Sequence, residues 1–390
     1  MTVLNQRRAT LMTMAVFAIQ PLAFGAWLAL LPQVQAGLDL SKSELAIALL
    51  GMPLALIPSL QIASRVIQRV GPRRLLAAGF VAQPLSLYLP VAAGSQWHLF
   101  WMLAIAGIVV ACMQVSLNVY AGRLEKQTDA TVMSRCHGFW ALGLMVGSFL
   151  ATLLVADKTT VLMMIAAPAA GLGVWVAVLL PKLAGEGAGI AAPPRRKLSQ
   201  IPKALFALSL FATAISMAEG AMSDWAAIYL AERTGGVVQN AGIAVSIYAG
   251  FMAAGRLMGD AFKIRIGAVA LARLTVGLAI AGLALLILPL PIWAAYLGFA
   301  LVGLGASVGF PLGVSAAAAL DDRYEGSNIA IMSAVAISGF LIGPPLIGFL
   351  SEQFSLRVGF CALLPGLIAG FWLAGALKPR TVAESRVDSA

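Results

Sequence analysis

The sequence predicts an all-α integral membrane protein of twelve spanning helices in two six-helix halves, with both termini in the cytoplasm. Three observations carry this. Composition comes first: 61% of the 390 residues are hydrophobic and 11% charged, with a mean hydropathy of +0.92. Soluble domains are about 45–50% apolar and about 25% charged, so a soluble fold of this chain would leave large apolar areas against water. Second, the chain divides into apolar runs near the length of about 20 residues that a spanning helix needs. Third, Lys and Arg gather in alternate connections between those runs, which is the topology signal of a membrane protein.

The expected spans are 9–33, 43–64, 73–94, 98–122, 134–156, 160–180, 204–231, 241–262, 267–288, 291–319, 327–350 and 357–377. The first follows Arg7 and Arg8 and is too long for the core of a signal peptide. With the N-terminus inside, only Lys42, Lys158, Arg233 and Arg357 fall outside, leaving 22 of the 26 basic residues in the cytoplasm. Reversing the chain would reverse the bias. The longest connection, PKLAGEGAGIAAPPRRKLSQIPK, is rich in Gly, Pro and basic residues. It reads as a cytoplasmic linker (181–203) between a first bundle (1–180) and a second (204–390, with a short cytoplasmic tail). The 39 glycines suit close helix approach in lipid.

Two of the inner connections repeat. SRVIQRVGPRRLL starts at Ser64 and GRLMGDAFKIRIGAVAL at Gly255, and both contain Arg-x-Gly, at Arg69–Gly71 and Arg265–Gly267. Duplicated six-helix units are a common transporter plan. Over its whole length the sequence resembles the major facilitator superfamily, whose first inner loop is written Gly-x-x-x-Asp-Arg-x-Gly-Arg-Arg. Arg69, Gly71, Arg73 and Arg74 fit that loop, while Ser64 replaces its glycine and Gln68 its aspartate. The resemblance implies a gating role for Arg69, Gly71 and Arg73. It does not carry over the family's charge contact at the aspartate. In the second loop Arg256 and Asp260 lie four apart near the expected membrane edge, where they are expected to pair locally.

More narrowly, GFLIGPPLIGFLSE from Gly339 and EGAMSDWAAIYL from Glu219 resemble bacterial fucose-permease-like proteins. That likeness implies a multi-pass protein of the bacterial cytoplasmic (inner) membrane. It favours proton-coupled symport of a neutral sugar-like solute. The acids on the first and fourth helices of the fucose permease plan are absent here, where Gln20, Gln114 and Asn118 stand instead. Neither its proton site nor its sugar is therefore transferred.

The seventh span carries the acids that matter. At about 100° per residue, Ser209, Thr213, Ser216, Glu219, Gly220, Ser223 and Asp224 fall within an arc of about 140°. Glu219 lies near mid-span, and Asp224 about 7–8 Å further out. Polar groups facing lipid cost several kcal/mol, so the stripe faces water or protein. Two readings stand: Glu219 and Asp224 exchange protons in a central cavity, or a protonated Glu219 joins two helices. In the two-halves plan the seventh helix lines the cavity, as the resemblance implies.

Other candidate solute contacts are Gln20 on the first span, Gln114 and Asn118 on one face of the fourth, Ser216 and Ser223 on the seventh, and Tyr248 on the eighth. His137 and Trp140 open the fifth span, either as satisfied interfacial residues or as a relay. Pro344 and Pro345 are expected to kink the eleventh.

No basic side chain falls at mid-membrane depth in these spans, and an anion would ordinarily meet an arginine fork. A neutral or cationic solute is therefore expected over an anion.

Despite the net +10, the charges cluster in short segments between apolar runs, with no basic, aromatic-interleaved patch, which argues against a nucleic-acid surface. Cys112, Cys136 and Cys361 read as small buried residues. No nucleophile–base set, Walker loop, metal or dinucleotide motif is present, so neither an enzyme nor a cofactor is expected. The partners expected are a small solute, protons and lipid, with the chain a monomer. The alternatives are a proton-antiport exporter of a cationic or amphipathic compound and, from another class, a non-transporting membrane receptor or scaffold.

Overall fold

The computed structural model describes residues 3–128, 132–183, 201–238, 240–321 and 324–378. Most of the expected linker, 184–200, lies outside them, as does Arg323.

The described chain is helical throughout. Seven expected spans are single helices before and after the linker: α1 (Val3–Gly37), α4 (Pro72–Val91), α5 (Gln96–Thr128), α6 (Met133–Leu153), α7 (Lys158–Leu179), α8 (Lys203–Arg233) and α10 (Ala268–Ile287). Two more are α9 (Ile243–Ile266) and α13 (Glu325–Gln353). Three spans are broken: α2 (Lys42–Leu49) with α3 (Gly51–Val70), α11 (Ile292–Ala306) with α12 (Gly309–Ala318), and α14 (Leu356–Cys361) with α15 (Leu364–Leu373). Eleven of these twelve units are long and apolar enough to cross a membrane.

The exception is α9, which is long enough at 24 residues but carries Arg256, Asp260, Lys263 and Arg265. It also runs to Ile266, beyond the boundary of 262 expected from the apolar pattern. That extension places Arg256 near mid-helix, thirteen residues from its first residue and ten from its last. The expected span 241–262 puts Arg256 towards its inner end, whereas along the observed helix it lies near the middle. An apolar ruler ends a span at its first cluster of charges, whereas the backbone continues the helix as long as its hydrogen bonds can be made.

The repeat seen in the sequence is also a repeat of backbone. Gly71 (φ 85°, ψ 153°) ends α3 and begins α4, while Gly267 (φ 81°, ψ 162°) ends α9 and begins α10. Each N–H donates to the carbonyl four residues earlier, Ile67 or Lys263, at 2.9 Å. This backbone region is close to forbidden for any residue with a Cβ, which explains a glycine at each turn.

Glycines also set the closest packing. A Cβ at Gly143 or Gly147 of α6 would collide with the Ala18 or Leu22 carbonyl of α1. Small residues of this kind let backbones approach where lipid supplies no hydrophobic drive between helices.

Helices before and after the linker meet where α1 packs on α8 and along two further seams. In the first, α6 faces α9: the Ser148 and Ser246 hydroxyls are 2.8 Å apart, Gly250 abuts Met145, and Gly138 abuts Leu257. In the second, α2 faces the end of α13. Glu352 accepts from the Lys42 N–H at 2.8 Å and the Ser43 N–H at 3.4 Å. At the same end the Lys42 ammonium pairs with Glu232 of α8 at 2.8 Å.

Candidate functional site

Glu219 sits near the middle of α8, and its carboxylate faces α9. The Arg256 Nη2 donates to Glu219 Oε1 at 3.1 Å. The two side chains are 9% (Arg256) and 15% (Glu219) exposed. The Arg256 Nε also donates to the Ser307 carbonyl at 3.3 Å. Ser307 lies in the break between α11 and α12, where a carbonyl has lost its helical partner and needs another donor. A Cβ at Gly255 would collide with the Ser307 side chain, so the glycine beside Arg256 lets α9 press against that break. One guanidinium thus joins three spans.

The expected local pair of Arg256 and Asp260 is not formed. Asp260 is exposed and has no ion pair among the described residues. The reason is dielectric. An exposed pair contributes about 0–1 kcal/mol, whereas a carboxylate left alone in the interior costs several. The arginine therefore turns inward.

Around the pair, Tyr248 is fully buried and its hydroxyl has no hydrogen-bond partner among the described residues. The charges of both Glu219 and Arg256 reach it. His137 of α6 is within electrostatic reach of Arg256 across the seam, and its ring meets Phe17 edge-on at 5.6 Å. Asp224 is half-buried and forms no hydrogen bond or ion pair among the described residues.

The polar stripe on α8 divides. Ser209, Thr213 and Ser223 return their hydroxyls to carbonyls of their own helix, those of Leu205, Ser209 and Glu219. Ser216 is 1% exposed and lies where α13 approaches closely at Gly339. Gly220 faces Phe340. This flank is a helix seam with α13, and Ser216 does not open on a cavity. Glu219 on one edge of the stripe is spent on Arg256, and Asp224 on the other edge has no partner among the described residues. The angular arc placed these residues together because α8 is covered on more than one side, which a wheel does not show.

The remaining candidates lie elsewhere. Gln20 is buried: its Oε1 accepts from Trp140 Nε1 at 2.8 Å and its carbonyl accepts from Gln83 at 2.9 Å, so it ties α1, α4 and α6. Gln114 and Asn118 are half-buried on α5. Arg69, Gly71 and Arg73 line a basic recess with Arg74 and Lys182 at the α3–α4 turn, where Arg73 Nη2 donates to the Val178 carbonyl at 2.7 Å. Trp225 of α8 donates to the Pro344 carbonyl at 3.1 Å, joining it to α13 at the diproline.

Sequence reasoning missed Ser307 and the Lys42–Glu232–Glu352 cluster. Acids at the ends of the seventh and eleventh spans were the available signal for the cluster. The signal for the Ser307 carbonyl was Pro311, four residues on, which has no N–H to donate to it.

Long apolar helices around a charge pair at mid-helix depth define a polytopic helical membrane protein. Comparison with known proteins makes this specific. The family model of the Major Facilitator Superfamily matches residues 12–312 and 210–390, and the chain belongs to that superfamily of membrane transporters. It is 27% identical over 376 residues to the uncharacterized transporter y4wD of Sinorhizobium fredii, covering 93% of this chain and 95% of that one. It is also 27% identical over 387 residues to an uncharacterized MFS-type transporter of Yersinia pestis, covering 95% of each. Among solved structures it shares its fold with the nucleoside transporter NupG (TM-score 0.71, 14% identity, 95% of this chain and 100% of that one). A mutant of the peptide transporter POT in complex with sulfate is similar too (TM-score 0.72, 15% identity, 95% and 96%). These relatives are transporters rather than enzymes.

Proposed function

We propose that the protein is a proton-coupled secondary transporter that moves a small polar solute by alternating access, with Glu219 as the proton-carrying group. The observation that carries this is the mid-helix Glu219–Arg256 pair, held where a charge without work to do is costly. For Glu219 to exchange a proton the pair must open during the cycle, so this structure represents the state in which it is closed. The bundles 1–180 and 204–390 move about the α6–α9 seam, the linker stays cytoplasmic, and the Lys42–Glu232–Glu352 cluster closes the outer end. Arg69, Gly71 and Arg73 act at the inner end, and Asp224 lies on the outer approach to Glu219. Symport of a sugar-like solute across a bacterial inner membrane rests on the likeness to the fucose-permease branch.

The solute is found first by thermal-shift screening of sugars, amines and nucleosides, since a ligand at 100 times its Kd adds about 2.7 kcal/mol. In proteoliposomes its transport is then expected to follow an imposed pH gradient. In Glu219→Gln that dependence is expected to vanish with folding intact. Equal dependence in the variant removes Glu219 from the mechanism.

A further inference from the structure

We infer that Arg256 is an anion-binding residue whose site is opened by protonation of Glu219, so that the solute carries a carboxylate. This rests on the proton-coupled reading and names its substrate class.

The argument is one of charge balance. The empty site holds one cation and one anion, and sums to zero. A buried guanidinium without a counter-charge costs several kcal/mol. A proton placed on Glu219 leaves Arg256 uncompensated unless a second anion arrives. An anion arriving at an unprotonated site faces the Glu219 carboxylate and leaves the site negative. Proton and carboxylate entering together restore zero. The empty and the doubly loaded sites are therefore the two that rearrange without a net buried charge, and each half-loaded form is disfavoured. A neutral solute would leave the guanidinium of a protonated site uncompensated.

The guanidinium has donors to spare for the exchange. An arginine offers five N–H donors, and the contacts to Glu219 and Ser307 use two, with a single oxygen of Glu219 engaged. The Ser307 carbonyl keeps Nε in place while Nη2 changes partner. The unpaired, fully buried Tyr248 hydroxyl stands in the field of both charges and supplies a further donor for an incoming acid. Other ionisable groups are few. From α6, His137 is within electrostatic reach of Arg256; on α8 Asp224 is five residues from Glu219, on α9 the exposed Asp260 is four from Arg256, and α10 carries Arg273. In α1 and α13 the ionisable side chains are confined to the end turns, at Arg7, Arg8, Glu325 and Glu352. Meanwhile α11, α12 and α15 carry no Asp, Glu, Lys, Arg or His.

The test uses matched pairs as probes: D-glucuronate with D-glucose, D-galacturonate with D-galactose, and L-lactate with L-lactamide. Binding to the purified full chain is measured by thermal shift at pH 5.5 and 7.5. At least one acid is expected to stabilise the wild type more than its neutral partner does. Its apparent affinity should rise towards tenfold per pH unit as pH falls, the limit for one linked proton. Glu219→Gln should keep acid binding and lose its pH dependence. Arg256→Gln should lose acid binding, and Arg256→Lys should weaken it. Glu219→Gln/Arg256→Gln, which strands no charge, serves if the single arginine variant does not fold. The inference is overturned if no acid stabilises the wild type, if acid binding survives loss of Arg256, or if Glu219→Gln keeps the pH dependence. A neutral solute driven by a proton gradient, with coupling lost in Glu219→Gln, would overturn it while leaving the coupling reading in place.

Discussion

Two ion pairs of the same chemistry lie in this molecule under different dielectric conditions. Glu219–Arg256 is at mid-helix, with side chains 15% and 9% exposed. Lys42–Glu232 is at an outer rim of the molecule, at the helix ends, with side chains 23% and 45% exposed. Their distances, 3.1 and 2.8 Å, would rank the second as the tighter. Burial reverses the ranking. In water either outer partner can lose the other and be solvated, so a pair of this kind contributes about 0–1 kcal/mol. At mid-helix neither partner has that alternative, and the charge must be matched or neutralised.

The largest expected effect tests that difference directly. Arg256→Gln is expected to cost about 3–5 kcal/mol at pH 8, read from unfolding in detergent. Glu219→Gln/Arg256→Gln, which strands no carboxylate, should recover most of the loss. Equal costs for the single and double variants would show that packing, not charge, is at stake.

Next come the two repeat turns. Gly71→Ala and Gly267→Ala each force a Cβ into a strained backbone, at about 1–3 kcal/mol. Like losses in thermal stability would mark the turns as equivalent, and a marked difference would break the repeat.

The outer pair follows. Lys42→Gln or Glu232→Gln is expected to cost under about 1 kcal/mol. That cost should fade in 1 M salt, where the Debye length drops to about 3 Å, while the cost of Arg256→Gln persists.

The smallest effect concerns Asp157, an exposed carboxylate with no ion pair among the described residues. It caps α7, accepting from the Thr159 and Thr160 N–H groups at 3.0 and 3.1 Å. The Thr160 hydroxyl and these amides hold its carboxyl below the usual range. A lowered folded value means stability that is present above the unfolded value of about 3.9 and lost as pH falls through the folded one. Melting temperature should therefore dip slightly below about pH 4 in the wild type and less in Asp157→Asn. An identical acid limb in both would exclude the cap as its source.

Much of the architecture was legible. Twelve runs, their connections and the Arg-x-Gly repeat follow from hydropathy and spacing, and the helices lie where those runs lie. Glu219 was legible as well, because an acid among small and apolar residues stands out. Arg256 was legible as a residue and misplaced in role, since the charges around it ended the apolar run early and made it look like an edge group. Ser216 failed for a related reason. Periodicity shows that residues share a face, but not whether α13 or an open cavity covers it.

By itself the sequence determined the long apolar helices and the backbone turns at Gly71 and Gly267, because lipid leaves a polar backbone only the helix and a positive φ of this kind leaves only glycine. Tertiary structure alone decided which charge meets which. Pairing depends on distance and dielectric between segments far apart in the chain, so only the folded molecule brings Arg256 of α9 to Glu219 of α8 and to the broken turn at Ser307.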